Sequence, residues 1–137
     1  MAVSCDIRLA SDNATFRFPG AEYGLVVGAA ALPRLIGVAR AKELILTARK
    51  FSAEDAKKWG LVNEIHPQSE LLGAALNMAE QIAANSAVAV RESKRIMDQA
   101  TSNPEARDSE NTINQTLRGS QEQVRRFQAA TQKVTGR

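Results

Sequence analysis

Cysteine and histidine each occur once in this chain of 137 residues, and the aromatic side chains are only four Phe, one Tyr and one Trp. The lone Cys5 cannot close an internal disulfide, and the lone His66 leaves no Cys/His cluster of the zinc type, so no metal site is expected. Charge of one sign is not concentrated anywhere. Eighteen Lys plus Arg are interspersed with fifteen Asp plus Glu for a formal net charge of +3. With so few aromatics this gives no footprint for nucleic acid. No apolar run approaches the roughly 20 residues that cross a bilayer. The opening MAVSCDIRLA carries charge inside what would have to be a signal core. These absences lead us to expect an unprocessed, soluble protein in a reducing, cytoplasmic setting, without nucleic-acid or membrane partners. A compact domain of this length buries roughly 68% of the surface its unfolded chain exposes, so a core is possible without staples.

What the chain does have is local order that changes period along its length. Ile7, Leu9, Phe16 and Phe18 alternate with Arg8, Ala10 and Arg17 on either side of Ser11-Asp12-Asn13, which predicts two short strands and a turn. Gly20, Gly24 and Gly28 punctuate the apolar stretch that follows, and Ala29 to Ile36 reads as a short helix that Gly37 ends. From Arg40 the helical period places Ala41, Leu44, Ile45 and Ala48 on one face. Ser52 is suited to cap a helix with Glu54 and Asp55 in its first turn, Lys57 and Lys58 in its last and Gly60 as its stop. Leu61, Val62 and Ile65 form an extended segment before Pro67. A helix opening at Ser69 and Glu70 carries the stripe Leu72, Ala75, Leu76, Ala79, Ile82, and a second carries Val90, Ser93, Met97, Ala100. Pro104 suits the first position of another helix. Ile113, Leu117, Ser120, Val124, Phe127, Thr131 and Val134 step by four and three, a seam for the chain's own domain or for a partner subunit. Gly119 inside it costs about 1 kcal/mol relative to Ala, which predicts a kink or two helices.

At SCDIRLASDNATFRFP and GVARAKELILTARKFSAEDAKKWGLVNEI the chain closely resembles the enoyl-CoA hydratase/isomerase (crotonase) family, and more weakly so to its C-terminus. The resemblance implies an α/β fold, the ClpP/crotonase spiral of β-β-α turns, here as a partial core with few short strands and a predominantly helical C-terminal region. Residues 1–37 would be the last part of that core, 38–68 a helix-helix-strand unit completing it, and 69–137 a helical region for oligomerisation and for covering the site. It further implies an acyl-CoA thioester as substrate rather than a separate cofactor, and a homo-oligomer, trimeric or hexameric. The chain looks like the second half of such a protein.

The resemblance also implies what is not in hand. Water addition to a C=C conjugated with a thioester builds negative charge on the thioester oxygen, which two backbone N–H groups must meet. The family supplies them from two loops that would lie upstream of Met1. One such donor is worth about 3 kcal/mol in the transition state, so the chain alone is expected to be a weak or inactive catalyst. One of the family's two hydratase carboxylates would also lie upstream. The other follows the Pro of the A-x-F strand, and here that position is Gly20. Glu22 is the nearby candidate for a catalytic carboxylate. In a helix positions 20 and 22 lie about 200° apart, and in an extended chain they are displaced by roughly 6.6 Å, so neither geometry substitutes without a shift. A solvated or structural Glu22 is the alternative.

The wall from Gly20 to Gly28, including Leu25, is the expected substrate-binding segment, shorter than the family's usual version. Members altered here isomerise, decarboxylate, dehalogenate or cleave C–C bonds, so the reaction stays open. Phe127 in EQVRRFQAA matches a CoA-contacting Phe, with core packing as the other reading. The Lys that would follow is Ala130, and Lys133 is out of register. Arg34 and Arg40 are candidates for CoA phosphates or are simply solvated. Cys5 reads as a buried, inert thiol in a strand, His66 as an exposed loop residue and Trp59 as a core plug. GAAALPR lacks the Gly-Lys-Ser/Thr of a phosphate loop. Two functions remain: an acyl-CoA enzyme whose missing parts come from elsewhere, or a non-catalytic, self-associating crotonase-like protein.

Overall fold

The structure, a computed structural model, describes residues 2–135, with the side chains of Ala2, Lys133, Val134 and Thr135 outside the described residues. Along the chain run β1 (Leu9–Ser11), β2 (Thr15–Phe16), α1 (Leu32–Ile36), α2 (Val38–Thr47), β3 (Phe51–Ser52), α3 (Ala53–Lys58), β4 (Glu64–His66), α4 (Leu71–Ala83), α5 (Ala87–Thr101), α6 (Pro104–Leu117) and α7 (Gln121–Thr135). They form two compact units that interleave in sequence. One unit joins the chain up to Thr15 with Ser52–Ser102, and the other joins Phe16–Phe51 with the chain from Asn103 onward. The expected division at 37 and 68 follows the chain instead, so the two partitions differ in kind.

In the first unit β1 pairs in parallel with β4, setting Leu9 opposite Glu64 and Ser11 opposite His66. A turn does follow β1, where the Ala14 N–H donates to the Ser11 carbonyl at 3.0 Å, but β1 is not paired with β2. Between the paired strands stands α3, capped as its residues predict. Ser52 Oγ accepts the Asp55 N–H at 3.1 Å, and the chain turns out through Gly60 at φ +77°. Leu61 N–H then reaches back to the Ala56 carbonyl at 2.8 Å, which buries Leu61 and Val62 with Ala53 and Ala56. Trp59, expected as a plug, is only half-buried because these smaller residues already fill the core.

Other expectations in this unit fail for identifiable reasons. Cys5 is exposed in a bend rather than buried in a strand. The strand cannot start earlier than Leu9, since the Arg8 N–H is held by Asn63 Oδ1 at 2.9 Å and its guanidinium by the Leu61 and Cys5 carbonyls. His66 ends β4 instead of lying in a loop, with Nε2 at 2.9 Å from Glu64 Oε2, because residues two apart on a strand share a face. The α4 stripe is turned outward: Leu72 is 71% exposed, while Leu71, Ala74, Ala75 and Met78 are the half-buried positions. Met97 on α5 is likewise exposed. A helix this apolar offers two possible faces, and periodicity alone does not choose between them.

In the second unit the core is built on α1 and α2. The former starts at Leu32, later than expected, with Pro33 in its first turn, and Gly37 at φ +79° ends it. Gly37 also caps the start of α2, which begins at Val38, two residues before the expected point, and its carbonyl accepts the Ala41 N–H at 3.0 Å. Leu32, Ala41 and Leu44 are fully buried. Phe51 packs beneath two further rings, with its centroid 5.5 Å from Phe16 and 6.0 Å from Phe18. The tail is two helices, as Gly119 predicts. Asn103 Oδ1 caps α6 from 3.0 Å, Gly119 takes φ +75°, and Ser120 Oγ accepts the Gln123 N–H at 3.2 Å to start α7. The seam holds only in part: Leu117 and Ser120 are half-buried as expected. Ile113 and Val124 are exposed, while Asn114, Leu117 and Ala130 are the more buried positions.

On α2, Leu44→Ala removes a fully buried side chain and is expected to cost about 2–5 kcal/mol. Leu46→Ala on the same helix, at a residue 73% exposed, should stay within about 0.5 kcal/mol. Urea unfolding of the two variants checks which face carries the core.

Candidate functional site

The wall begins where the second short strand ends. Pro19, with its fixed φ, opens a single tight turn: Tyr23 N–H donates to the Pro19 carbonyl at 3.1 Å, and Leu25 N–H closes back to Gly20 at 2.8 Å. Gly24 at φ +73° terminates it in the manner of a helix C-cap. Of the two geometries open to Gly20 and Glu22, the turned one is therefore adopted. Gly20 is buried, and a Cβ there would lie 3.0 Å from the Leu25 carbonyl oxygen and 3.1 Å from Val27 Cβ. The position where the family resemblance has a carboxylate is thus filled by the chain's own next segment.

Glu22 goes elsewhere. Its Oε2 is buried and meets the Arg17 guanidinium as an ion pair rather than an aligned hydrogen bond. Arg17 Nε in turn donates to the Ala48 carbonyl at 2.7 Å, where α2 ends in a left-handed residue at φ +50°. Glu22 is held to the end of α2 through Arg17.

Against this wall stand α6 and α7. A cleft of about 320 Å³ is lined by Ala21, Gly24, Leu25 and Val26 on one side and by residues including Leu117, Ser120, Gln123 and Arg126 on the other. Glu22 is not among its lining residues. Gly24 allows the close approach, since a Cβ on it would meet Gln123 Cα at 3.2 Å. Tyr23 and Phe127 meet edge to face at 5.9 Å between centroids. Leu25, Gly20 and Phe127 are therefore brought into one neighbourhood: the first lines the cleft, the second supports the wall and the third clasps it. Arg126 is paired with Glu122 at 2.8 Å.

Two residues of α6 that sequence reasoning missed complete the wall. Glu110 accepts the N–H groups of Gly28 and Ala30, at 2.9 and 2.8 Å, and Asn114 accepts the Val26 N–H at 2.9 Å while donating to the Val26 carbonyl. Their only signal was a pair of polar residues four apart, hidden beside a more apolar seam.

The remaining candidates lie apart from the cleft lining. Arg34 is exposed. Arg40 pairs with Glu43 at 2.8 Å. The Arg49 hydrogen bond is the main influence holding the Glu43 carboxyl below its ordinary 4.5. A depressed folded value means that any contribution to stability is present above that ordinary value and is lost as the pH falls through the folded one. Ala130, where a CoA-contacting Lys would fall, is buried. Among the described residues no group of three or more His, Cys, Asp and Glu side chains could hold a metal, and no helix is long and apolar enough to cross a membrane.

Restoring an acid by Gly20→Glu should disrupt the wall instead of creating a site. The expected outcome is a loss of about 1–3 kcal/mol, as for other overpacking substitutions, with no gain in crotonyl-CoA hydration; denaturant unfolding and a hydration assay read the two.

A family model described as enoyl-CoA hydratase/isomerase matches residues 1–134. The chain is 42% identical over 101 residues to the short-chain-enoyl-CoA hydratase of Clostridium acetobutylicum, covering 72% of this chain and 39% of that protein. To the carnitinyl-CoA dehydratase of Salmonella paratyphi A it is 35% identical over 99 residues, covering 70% and 38% respectively. It thus spans well under half the length of these relatives. Among solved structures, the enoyl-CoA hydratase/isomerase of Pseudoalteromonas atlantica superimposes with a TM-score of 0.86 at 30% identity, over 96% of this chain and 55% of that one. A match along nearly the whole sequence, joined to that superposition, places the chain in the enoyl-CoA hydratase/isomerase family, with the crotonase fold.

Proposed function

We propose that the chain acts on an acyl-CoA thioester, adding or removing water at, or shifting, a C=C bond next to the thioester. The observation that carries this reading is the family match over residues 1–134, and the formed wall beside the α6–α7 cleft is consistent with it. The CoA thioester is the substrate, and the reading requires no further cofactor. In this scheme Leu25 and its neighbours bound the acyl side, Gly20 supports them, and Phe127 contributes through its contact with Tyr23. Of the two roles open to Glu22, its pairing with Arg17 and its absence from the cleft lining support the structural one.

The same reading makes the chain by itself a weak or inactive catalyst. An oxyanion hole needs two free, convergent N–H groups. In the wall, the amides of Tyr23, Gly24 and Leu25 donate within the turn, and those of Val26, Gly28 and Ala30 donate to Asn114 and Glu110. These six amides are therefore not available for the hole, which this reading takes from another segment or another polypeptide. The second reading, a non-catalytic and self-associating protein, is favoured by the outward apolar side chains Leu72, Leu76, Ile96 and Met97. Assembly into a homo-oligomer, trimeric or hexameric, fits either reading.

Calorimetric titration of the chain with butyryl-CoA at two temperatures, so that a zero enthalpy cannot hide binding, should detect an interaction, while crotonyl-CoA turnover stays slow. Absence of heat at both temperatures overturns the acyl-CoA reading; rapid turnover overturns the claim of a missing oxyanion hole. In any active assembly Glu22→Gln should leave the rate unchanged, and a large drop would return Glu22 to the chemistry.

A further inference from the structure

The wall segment 26–30 makes no strand pairing of its own, yet its polar backbone is fixed. Two residues of extended chain advance by roughly 6.6 Å, and four residues of helix rise by about 6 Å. Glu110 and Asn114, one turn apart on α6, therefore meet alternate residues of the wall in register. The Glu110 carboxylate takes two N–H groups at once, from Gly28 and Ala30, and the Asn114 amide takes both the N–H and the carbonyl of Val26. An ionised carboxylate is suited to that first task because both its oxygens accept, whereas a Gln amide offers one acceptor and one donor.

We infer that Glu110 and Asn114 are positioning residues that fix the wall facing the cleft and thereby set which acyl groups fit. Three observations converge on this. Val26, which Asn114 holds, lines the cleft directly beside Leu25 and Gly24. Gly20 closes the space behind residues 25–27, so the wall has no slack on that side. Gly28 is buried at φ +82°, a conformation that fixes the path of the chain into its contact with Glu110. Release from α6 leaves the wall one direction in which to move, and moving it changes the cleft. The inference rests on the acyl-CoA reading and deepens it: α6 contributes to selectivity without touching substrate.

The test compares Glu110→Gln and the milder Asn114→Ser with the unaltered chain and with Gln115→Ala, a change at an exposed residue of the same helix. Circular dichroism reports the helix content. Amide exchange by NMR at Val26, Gly28 and Ala30 should speed up by roughly tenfold in the two wall variants, as for local opening. The decisive readout is the ratio of affinities for butyryl-CoA and octanoyl-CoA. It should shift by about fivefold or more, the range that a small change in an apolar pocket produces, with affinity for CoA itself unchanged. Faster exchange with an unchanged ratio overturns the selectivity role and leaves a purely structural clasp. Should Glu110→Gln fail to fold, Asn114→Ser alone decides by the same ratio. If the unaltered chain binds neither acyl-CoA, the functional reading fails and this inference with it, an outcome distinct from binding whose preference does not move.

Discussion

The missing side chain at Gly20 is the constraint around which the second unit is arranged. With no Cβ, the segment Leu25–Val27 folds down onto it, the Pro19 turn closes, and Gly24 brings the chain against α7. A larger residue would push the wall off that support, and the cleft, the Tyr23–Phe127 contact and the register with α6 would all have to adjust. The same lack of space accounts for a chemical feature. A carboxylate cannot occupy this position while the wall keeps its path, so the departure from the family pattern is a packing decision as well as a loss of an acid.

What was legible in the sequence was local. Caps and stops depend on residues a few positions apart, so Ser52, Gly37, Gly60, Pro104 and Gly119 were read correctly from chemistry alone. The family, too, could be named from the strand and helix motifs of the first 65 residues. Faces were less legible. On α4 the stripe through Leu72 and Leu76 had the right period, but the pattern does not say whether it faces the core, because burial is decided by what packs alongside. His66 and Cys5 were misplaced for a related reason: strand limits are set by partners far apart in sequence, Arg8 with Asn63 at one end and Ser11 and Asp12 with His66 at the other.

The site was half legible. Gly20, Leu25 and Phe127 were singled out and do share one neighbourhood, and the turned path between Gly20 and Glu22 was one of the two geometries weighed. The engagement of Glu22 by Arg17 is local in sequence, but Arg17's link to the end of α2 depends on a contact across 31 residues that no local pattern announces. Glu110 and Asn114 lie more than 80 residues from the backbone groups they hold. Polar residues beside an apolar seam read as solvated surface unless the loop they serve is already in place.

The interleaving of the two units has a consequence for dissecting the molecule. The backbone passes from one unit to the other after Thr15, after Phe51 and after Ser102, so no single cut yields either unit as a continuous fragment. A break at the last crossing would detach α6 and α7 together. It would strip the wall of the carboxylate and amide that satisfy Val26, Gly28 and Ala30, leaving three backbone donors bare beside a buried glycine. The C-terminal helices are thus not an appendage that can be trimmed: they are the other half of a hydrogen-bond pattern that starts near the first strands.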